Sequence, residues 1–156
     1  MASSDDTHRL SEGDARADAG HRAMVAVASA VGRALEQLAA TALAPGLYVV
    51  STPIGNLSDI TLRALAVLAR ADVVYCEDTR HSQRLTRHYA IDRPLVPYHE
   101  HNAEQERPRI LARLARSHAV ALISDAGTPL ISDPGYKLVR AARAEGHRVW
   151  CLPGPS

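Results

Sequence analysis

The sequence predicts an α/β fold over residues 45–156, a mostly parallel sheet with helices on both faces. Three observations carry that expectation. Short apolar runs fit buried strands: LYVV at 47–50, DVVYC at 72–76, AVALI at 119–123 and RVWCL at 148–152. Stretches with apolar residues at helical spacing separate them. Each run ends in a loop rich in Gly, Pro or carboxylates: STPIGN, CEDTRHS, SDAGTPLISDPG and LPGPS. Beyond the carboxyl ends of parallel strands, such loops gather at one edge and form one crevice.

Taken in order, residues 1–20 are rich in Ser, Asp, Ala and Gly without apolar periodicity, so the reading there is a disordered tail. Residues 21–44 place Met24, Val25, Val27, Val31, Leu35 and Leu38 at roughly helical spacing among alanines, an appended helix with one apolar face. The domain begins after Pro45 and Gly46 with the first strand. Ser58 or Asp59 can cap a helix over 61–69. The second strand delivers Glu77, Asp78, Thr79, Arg80 and His81 to the loop edge, and a short basic helix over 82–89 follows. Residues 94–97 lead to Tyr98, His99, Glu100, His101 and Asn102. A further amphipathic helix is expected over 104–117 with Pro108 in its first turn. After the third strand and its loop, a helix over 136–144 ends at Gly146, and the fourth strand runs into Pro153 and Gly154.

Composition excludes several classes. A hydrophobic share of 46% over 156 residues supports one domain with a real core. A net charge of +1 argues against a whole-surface field for nucleic acid, although a local basic patch is compatible with it. The basic residues are nearly all Arg, with Lys137 the one lysine, which favours planar recognition of anions. Cys76 and Cys151 are too few and too far apart for a disulfide framework or a CxxC metal site. No run of apolar residues approaches the length that spans a bilayer, and the chain reads as soluble and cytoplasmic. The loops match neither GxxxxGK[ST] nor GxGxxG. A metal at the histidines flanking Glu100, or Mg²⁺ on Asp125 and Asp133 with Glu77 and Asp78, is the weaker reading, because the His spacing suits a strand and no phosphate-binding loop is present. No metal is expected.

The segments PGLYVVSTPIGNLSDITLRAL, ADVVYCEDTRHSQRL, YHEHN, SDAGTPLISDPGYKLVRAA and LPGPS together resemble the N-terminal half of the ribosomal RNA small subunit methyltransferase I family, of the tetrapyrrole methylase superfamily. The resemblance covers residues 45–156 and leaves out 1–44. It implies S-adenosylmethionine-dependent 2′-O-methylation of a cytidine in 16S rRNA, by two α/β domains with the methyl donor between them. It also implies a homodimer acting on the small ribosomal subunit. By motif, Pro53, Ser124, Asp125, Ala126, Gly127, Thr128, Pro129, Leu130, Ser132, Pro153 and Gly154 would line the donor site. A ribose hydroxyl is a weak nucleophile, and Glu77, Asp78, His81, His99 and Glu100 are the candidate bases. Arg80, Arg84 and Arg87 are candidate RNA phosphate contacts. The family continues into a second domain where this chain ends, so the expectation for these residues alone is weak donor binding and little transfer. The alternatives are a methylase of this fold acting on a small molecule such as a tetrapyrrole, or a non-catalytic RNA- or partner-binding remnant.

Overall fold

A computed structural model describes residues 4–129 and 133–155. The chain divides into two units, 1–37 and 38–156, each described on its own.

In the first unit every described residue is helical: α1 is Ser4–Ala40. This differs from the expected disordered tail over 1–20. The segment has no proline, is rich in alanine, and carries an i,i+4 ion pair, Arg22 with Asp18, that favours the helix. By length and composition alone, 11–40 is also apolar enough to cross a membrane, contrary to the sequence expectation. That is weak grounds for a span, since a signal sequence near the N-terminus passes the same test.

The second unit holds five parallel strands: β1 Gly46–Val50, β2 Val73–Cys76, β3 Leu95–Pro97, β4 Ala119–Leu122 and β5 Val149–Leu152, in the order β3-β2-β4-β1-β5. Four were expected; β3 is the addition, a three-residue edge strand ending in proline and paired only with β2. The helices are α2 Leu62–Arg70, α3 Thr79–His88, α4 Ala103–Ala115 and α5 Asp133–Ala144.

Side chains alternate across the sheet and build two cores. Tyr48, Val50, Val74, Cys76, Ala121 and Ile123 pack on one face with Ala64, Val67 and Leu68 of α2 and Leu85 of α3. Leu47, Val49, Val73, Tyr75, Val120 and Leu122 pack on the other with Ile110 and Leu114 of α4 and Leu138, Val139 and Ala142 of α5. The expected fold class, helices on both faces of a parallel sheet, is therefore what the residues form. Tyr48 and Trp150 stack at 4.6 Å between neighbouring strands β1 and β5.

Local chemistry explains the boundaries. Thr61, not Ser58 or Asp59, caps α2 by accepting from Ala64 N at 3.1 Å. Asn56 instead caps the 3-10 turn Leu57–Asp59, accepting from Ser58 N. Asp78 caps α3 by accepting from Arg80 N at 2.8 Å, which starts that helix three residues before the expected 82. Because α4 starts at Ala103, Pro108 lies in its second turn, not its first; it and Glu104, whose carbonyl loses its helical donor there, are both on the exposed side. Gly146, at φ +79, ends α5 as expected.

Candidate functional site

Strand order places the site. The connections from β1 and β2 run through α2 and α3 on one face, whereas the connection from β4 runs through α5 on the other. β4 lies between β2 and β1, so the carboxyl end of β4 is a topological switch point on both sides, where an open sheet leaves a crevice. The loop that fills it is SDAGTP.

That loop doubles back over β1. Gly127, at φ +75, turns the chain so that it forms an antiparallel bridge with Thr52: Thr52 N donates to Gly127 O and Gly127 N to Thr52 O, both at 3.0 Å. Side chains add ties across the same seam. Ser51 Oγ and Thr128 Oγ1 share a hydrogen bond of 2.8 Å, and Thr52 Oγ1 donates to Ser124 O at 3.2 Å. Ser124 Oγ donates to Ala126 O at 2.9 Å. On the other flank Asp78 N donates to Asp125 Oδ1 at 3.3 Å, and His81 Nε2 lies 2.7 Å from Asp125 O. The LPGPS loop joins them: Ser51 Oγ also donates to Leu152 O, and a Cβ added at Gly154 would stand 3.0 Å from that of Ser51. Four loops thus meet around β4.

The structure sorts the candidate residues. Pro53, Ser124, Asp125, Ala126, Gly127, Thr128, Pro129, Pro153 and Gly154 all belong to these loops; Leu130 and Ser132 lie outside the described residues. Among the candidate bases, Glu77, Asp78 and His81 follow β2, directly beside β4. Burial, and then the Asp125 carboxylate, push the Glu77 carboxyl above its ordinary range. His99 and Glu100 follow β3, two strands from β4, and no described contact joins them to the SDAGTP loop. His99 is fixed from within its own loop by Asn102 Oδ1, which accepts from its N–H at 2.9 Å, and Glu100 pairs with His101 at 3.6 Å. Arg80, Arg84 and Arg87, four and three residues apart, share one side of α3, all exposed and without a carboxylate among the described ion pairs.

Between the STPIGN loop and α3 lies a cavity of about 120 Å³, walled by Thr52, Asn56, His81, Ser82, Arg84 and Ser124. Sequence reasoning reached Ser51, Thr52 and Asn56 only as members of the STPIGN loop, and did not reach Ser82 as a site residue. Their roles depend on neighbours up to 101 residues away.

Comparison with known proteins agrees with this geometry. Residues 46–156 match the Tetrapyrrole (Corrin/Porphyrin) Methylases. The chain belongs to that family. A protein of Mesorhizobium japonicum named ribosomal RNA small subunit methyltransferase I is 58% identical over 120 residues, 77% of this chain and 41% of that protein. One of the same name from Escherichia coli O157:H7 is 54% identical over 109 residues, 70% of this chain and 38% of that protein. The chain therefore spans about two-fifths of the length of these curated relatives. Among solved structures, uroporphyrin-III-C-methyltransferase of Thermus thermophilus superposes with a TM-score of 0.56 at 27% identity, over 70% of this chain and 46% of that one. The conserved hypothetical protein APE0931 of Aeropyrum pernix superposes at 0.60 and 26%, over 73% and 40%.

The residues at the crevice fit the methyl donor that this family implies. The backbone N–H groups of Asp125, Ala126 and Thr128 have no acceptor among the described residues, in a loop whose shape is fixed by the bridge to Thr52. Rigid, unspent donors of this kind suit a carboxylate or the acceptor atoms of an adenosine.

Proposed function

We propose that the chain is the donor-binding first domain of an S-adenosylmethionine-dependent methyltransferase that methylates the 2′-hydroxyl of a cytidine in 16S rRNA. The observation that carries the reading is the SDAGTP loop, held at the switch point with three amides that have no acceptor among the described residues, in a chain more than half identical to proteins named for ribosomal RNA methylation. Small ribosomal subunits are then its substrate, the cytoplasm its place of work, and a homodimer its assembly.

When bound, S-adenosylmethionine supplies an activated methyl group on a sulfonium, so the protein has to align the acceptor oxygen and take one proton. The amides of Asp125, Ala126 and Thr128 hold the donor, with Pro53, Pro129, Pro153 and Gly154 shaping the walls. Glu77 is the base: its carboxyl lies next to the donor loop, and the burial and Asp125 charge that raise its proton affinity bring it nearer the operating pH. Asp78 and His81 brace that loop through Asp125. Arg80, Arg84 and Arg87 meet the RNA phosphates, which position without specifying sequence.

Calorimetric titration with S-adenosylmethionine, beside transfer of labelled methyl to small ribosomal subunits, tests the reading. Donor binding with little transfer is the expected result for residues 1–156. Absence of donor binding, with RNA binding retained, favours a non-catalytic RNA-binding module. Robust transfer by these residues alone refutes the division of labour between two domains.

A further inference from the structure

The YHEHN segment stands out in the sequence, yet no described contact brings its His99 or Glu100 to the SDAGTP loop. Its first residue reaches the scaffold of the site instead. Tyr98, only 1% exposed, spans from the end of β3 to the start of α5, where its hydroxyl donates to Pro134 O at 2.8 Å. We propose that Tyr98, braced by Asn102 and with its hydroxyl directed by Arg107, is a positioning residue for the methyl donor: it fixes the first turn of α5, against which Pro129 of the SDAGTP loop is packed. The inference rests on the reading of that loop as the donor site and deepens it by assigning what sets the loop's far end.

Rigidity at the root is the first ground. β3 is an edge strand of three residues and offers little to hold a side chain in place. Asn102 supplies what the strand lacks. Its Nδ2 donates to Pro97 O at 2.8 Å and its Oδ1 accepts from His99 N at 2.9 Å, so one side chain ties the backbone on both sides of Tyr98. Tyr98 N itself donates to Cys76 O at 2.7 Å, and the Tyr98 ring meets that of Tyr75 edge-on at 6.4 Å. Arg107 of α4, its side chain 17% exposed, pairs with Glu104 at 3.2 Å and hydrogen-bonds the Tyr98 oxygen. A guanidinium only donates, so the hydroxyl accepts from it and turns its own proton towards Pro134 O.

Contact at the tip is the second ground. Pro134 is followed by Gly135, and Gly135 is packed so closely on Pro129 that a Cβ there would collide with the Pro129 carbonyl. The contact is made by backbone, so a displacement of the Pro134 end of α5 passes directly to Pro129. Ser51, Thr52, Asp78 and His81 hold the loop over residues 124–128. Tyr98 holds the opposite end, and the two prolines bracket Leu130 and Ser132, two of the candidate donor contacts. A hydrogen bond of this kind raises donor affinity by no more than it favours the loop in its donor-ready position, which for one buried neutral bond is about fivefold.

The test is calorimetric titration of the full chain with S-adenosylmethionine, with Tm measured on every variant. Tyr98→Phe is expected to weaken the donor about fivefold. Tyr48→Phe is the control, because it deletes a bond of the same kind, hydroxyl to Ala44 O at 2.6 Å, at the opposite end of the strands. It should lower Tm to a similar degree and leave donor affinity unchanged, which separates positioning from plain loss of stability. Arg107→Met gives a second route to the same hydroxyl. It should weaken the donor in the parent and add nothing in the Tyr98→Phe background, since its effect passes through the bond that Tyr98→Phe has already removed. A Tyr98→Phe protein with the parent's donor affinity overturns the proposal, as does an equal loss in Tyr48→Phe. Additive losses from Arg107→Met and Tyr98→Phe overturn it too, because Arg107 then acts elsewhere. Those results leave donor binding by the parent intact and remove this inference alone; a parent that binds no donor removes the reading beneath it and the inference with it.

Discussion

Gly135 gives the sharpest test of how the SDAGTP loop is held, because two effects on its replacement have opposite signs. It lies in the first turn of α5, is buried, and has no positive φ. On helix propensity alone, Gly135→Ala should stabilise by about 1 kcal/mol. Against that, a Cβ there would stand 2.4 Å from the backbone oxygen of Pro129, where real Cβ contacts essentially never fall below 3.0 Å. The Pro129 end of the SDAGTP loop must therefore retreat by at least the difference, 0.6 Å. The obstacle is backbone and not the tip of a flexible side chain, so the cost belongs with overpacked cores, about 1–3 kcal/mol, and outweighs the propensity gain. The expected net loss of about 1 kcal/mol lowers Tm by roughly 5 °C, and the displaced loop weakens S-adenosylmethionine binding. Gly127→Ala is the control. Its Cβ would meet nothing closer than 3.5 Å, so only the cost of φ +75 remains, about 1–2 kcal/mol without a collision. Thermal unfolding and calorimetry read both variants. A Gly135→Ala protein with unchanged or raised Tm would refute the steric reasoning.

Three further outcomes follow from the geometry. Tyr98, buried on the α4 and α5 face, donates through its hydroxyl to Pro134 O at 2.8 Å; Tyr98→Phe removes that bond and should cost about 1 kcal/mol in denaturant unfolding, with the m-value unchanged. Glu77 has a folded-state pKa above its ordinary 4.5, so the folded protein binds the extra proton in the window above 4.5, and stability falls as pH rises through the folded value. Glu77→Gln should therefore flatten the decline of Tm from pH 4.5 towards neutrality; a variant with the parent's slope counts against the assignment. Replacing Arg80, Arg84 and Arg87 together by Ala should lower the salt dependence of binding to a 16S rRNA fragment by about 2–3 in log–log slope, while donor affinity stays constant.

The parts of this fold that the sequence made legible are those whose signal is local. Parallel strands covered on both faces read as unbroken apolar runs, and β1, β2, β4 and β5 were all found that way. β3 escaped because an edge strand of three residues ending in proline carries no such run. α1 began earlier than expected because Ser, Asp and Gly look like a solvated tail by composition, while the alanines among them favour helix and no proline intervenes. The cap at Thr61 was missed for a related reason: Asn56, Ser58, Asp59 and Thr61 are all competent caps, and the 3-10 turn decides which is used for α2. In the site, Gly127 and the Pro-rich loops were visible as punctuation. The ties between them were not, because Ser51 finds Thr128 only once β4 is inserted between β2 and β1.

That insertion also explains why the SDAGTP loop has a shape of its own. A loop at the end of an edge strand would be braced from one side. The SDAGTP loop is braced from both, by Ser51 and Thr52 from β1 and by Asp78 and His81 from the end of β2. The two braces differ in kind. Those from β1 are buried and partly backbone to backbone, with Ser51 and Thr52 only 2% and 3% exposed, so they persist across pH. Those from β2 are exposed and run through Asp125, whose carboxylate also bears on Glu77. A single residue thus couples the position of the SDAGTP loop to the proton affinity of Glu77, the base proposed above. Asp125→Asn keeps a side-chain oxygen to accept from Asp78 N and removes the charge, so it separates the two effects: donor affinity should survive, while the pH dependence contributed by Glu77 shifts towards that of an ordinary carboxylate.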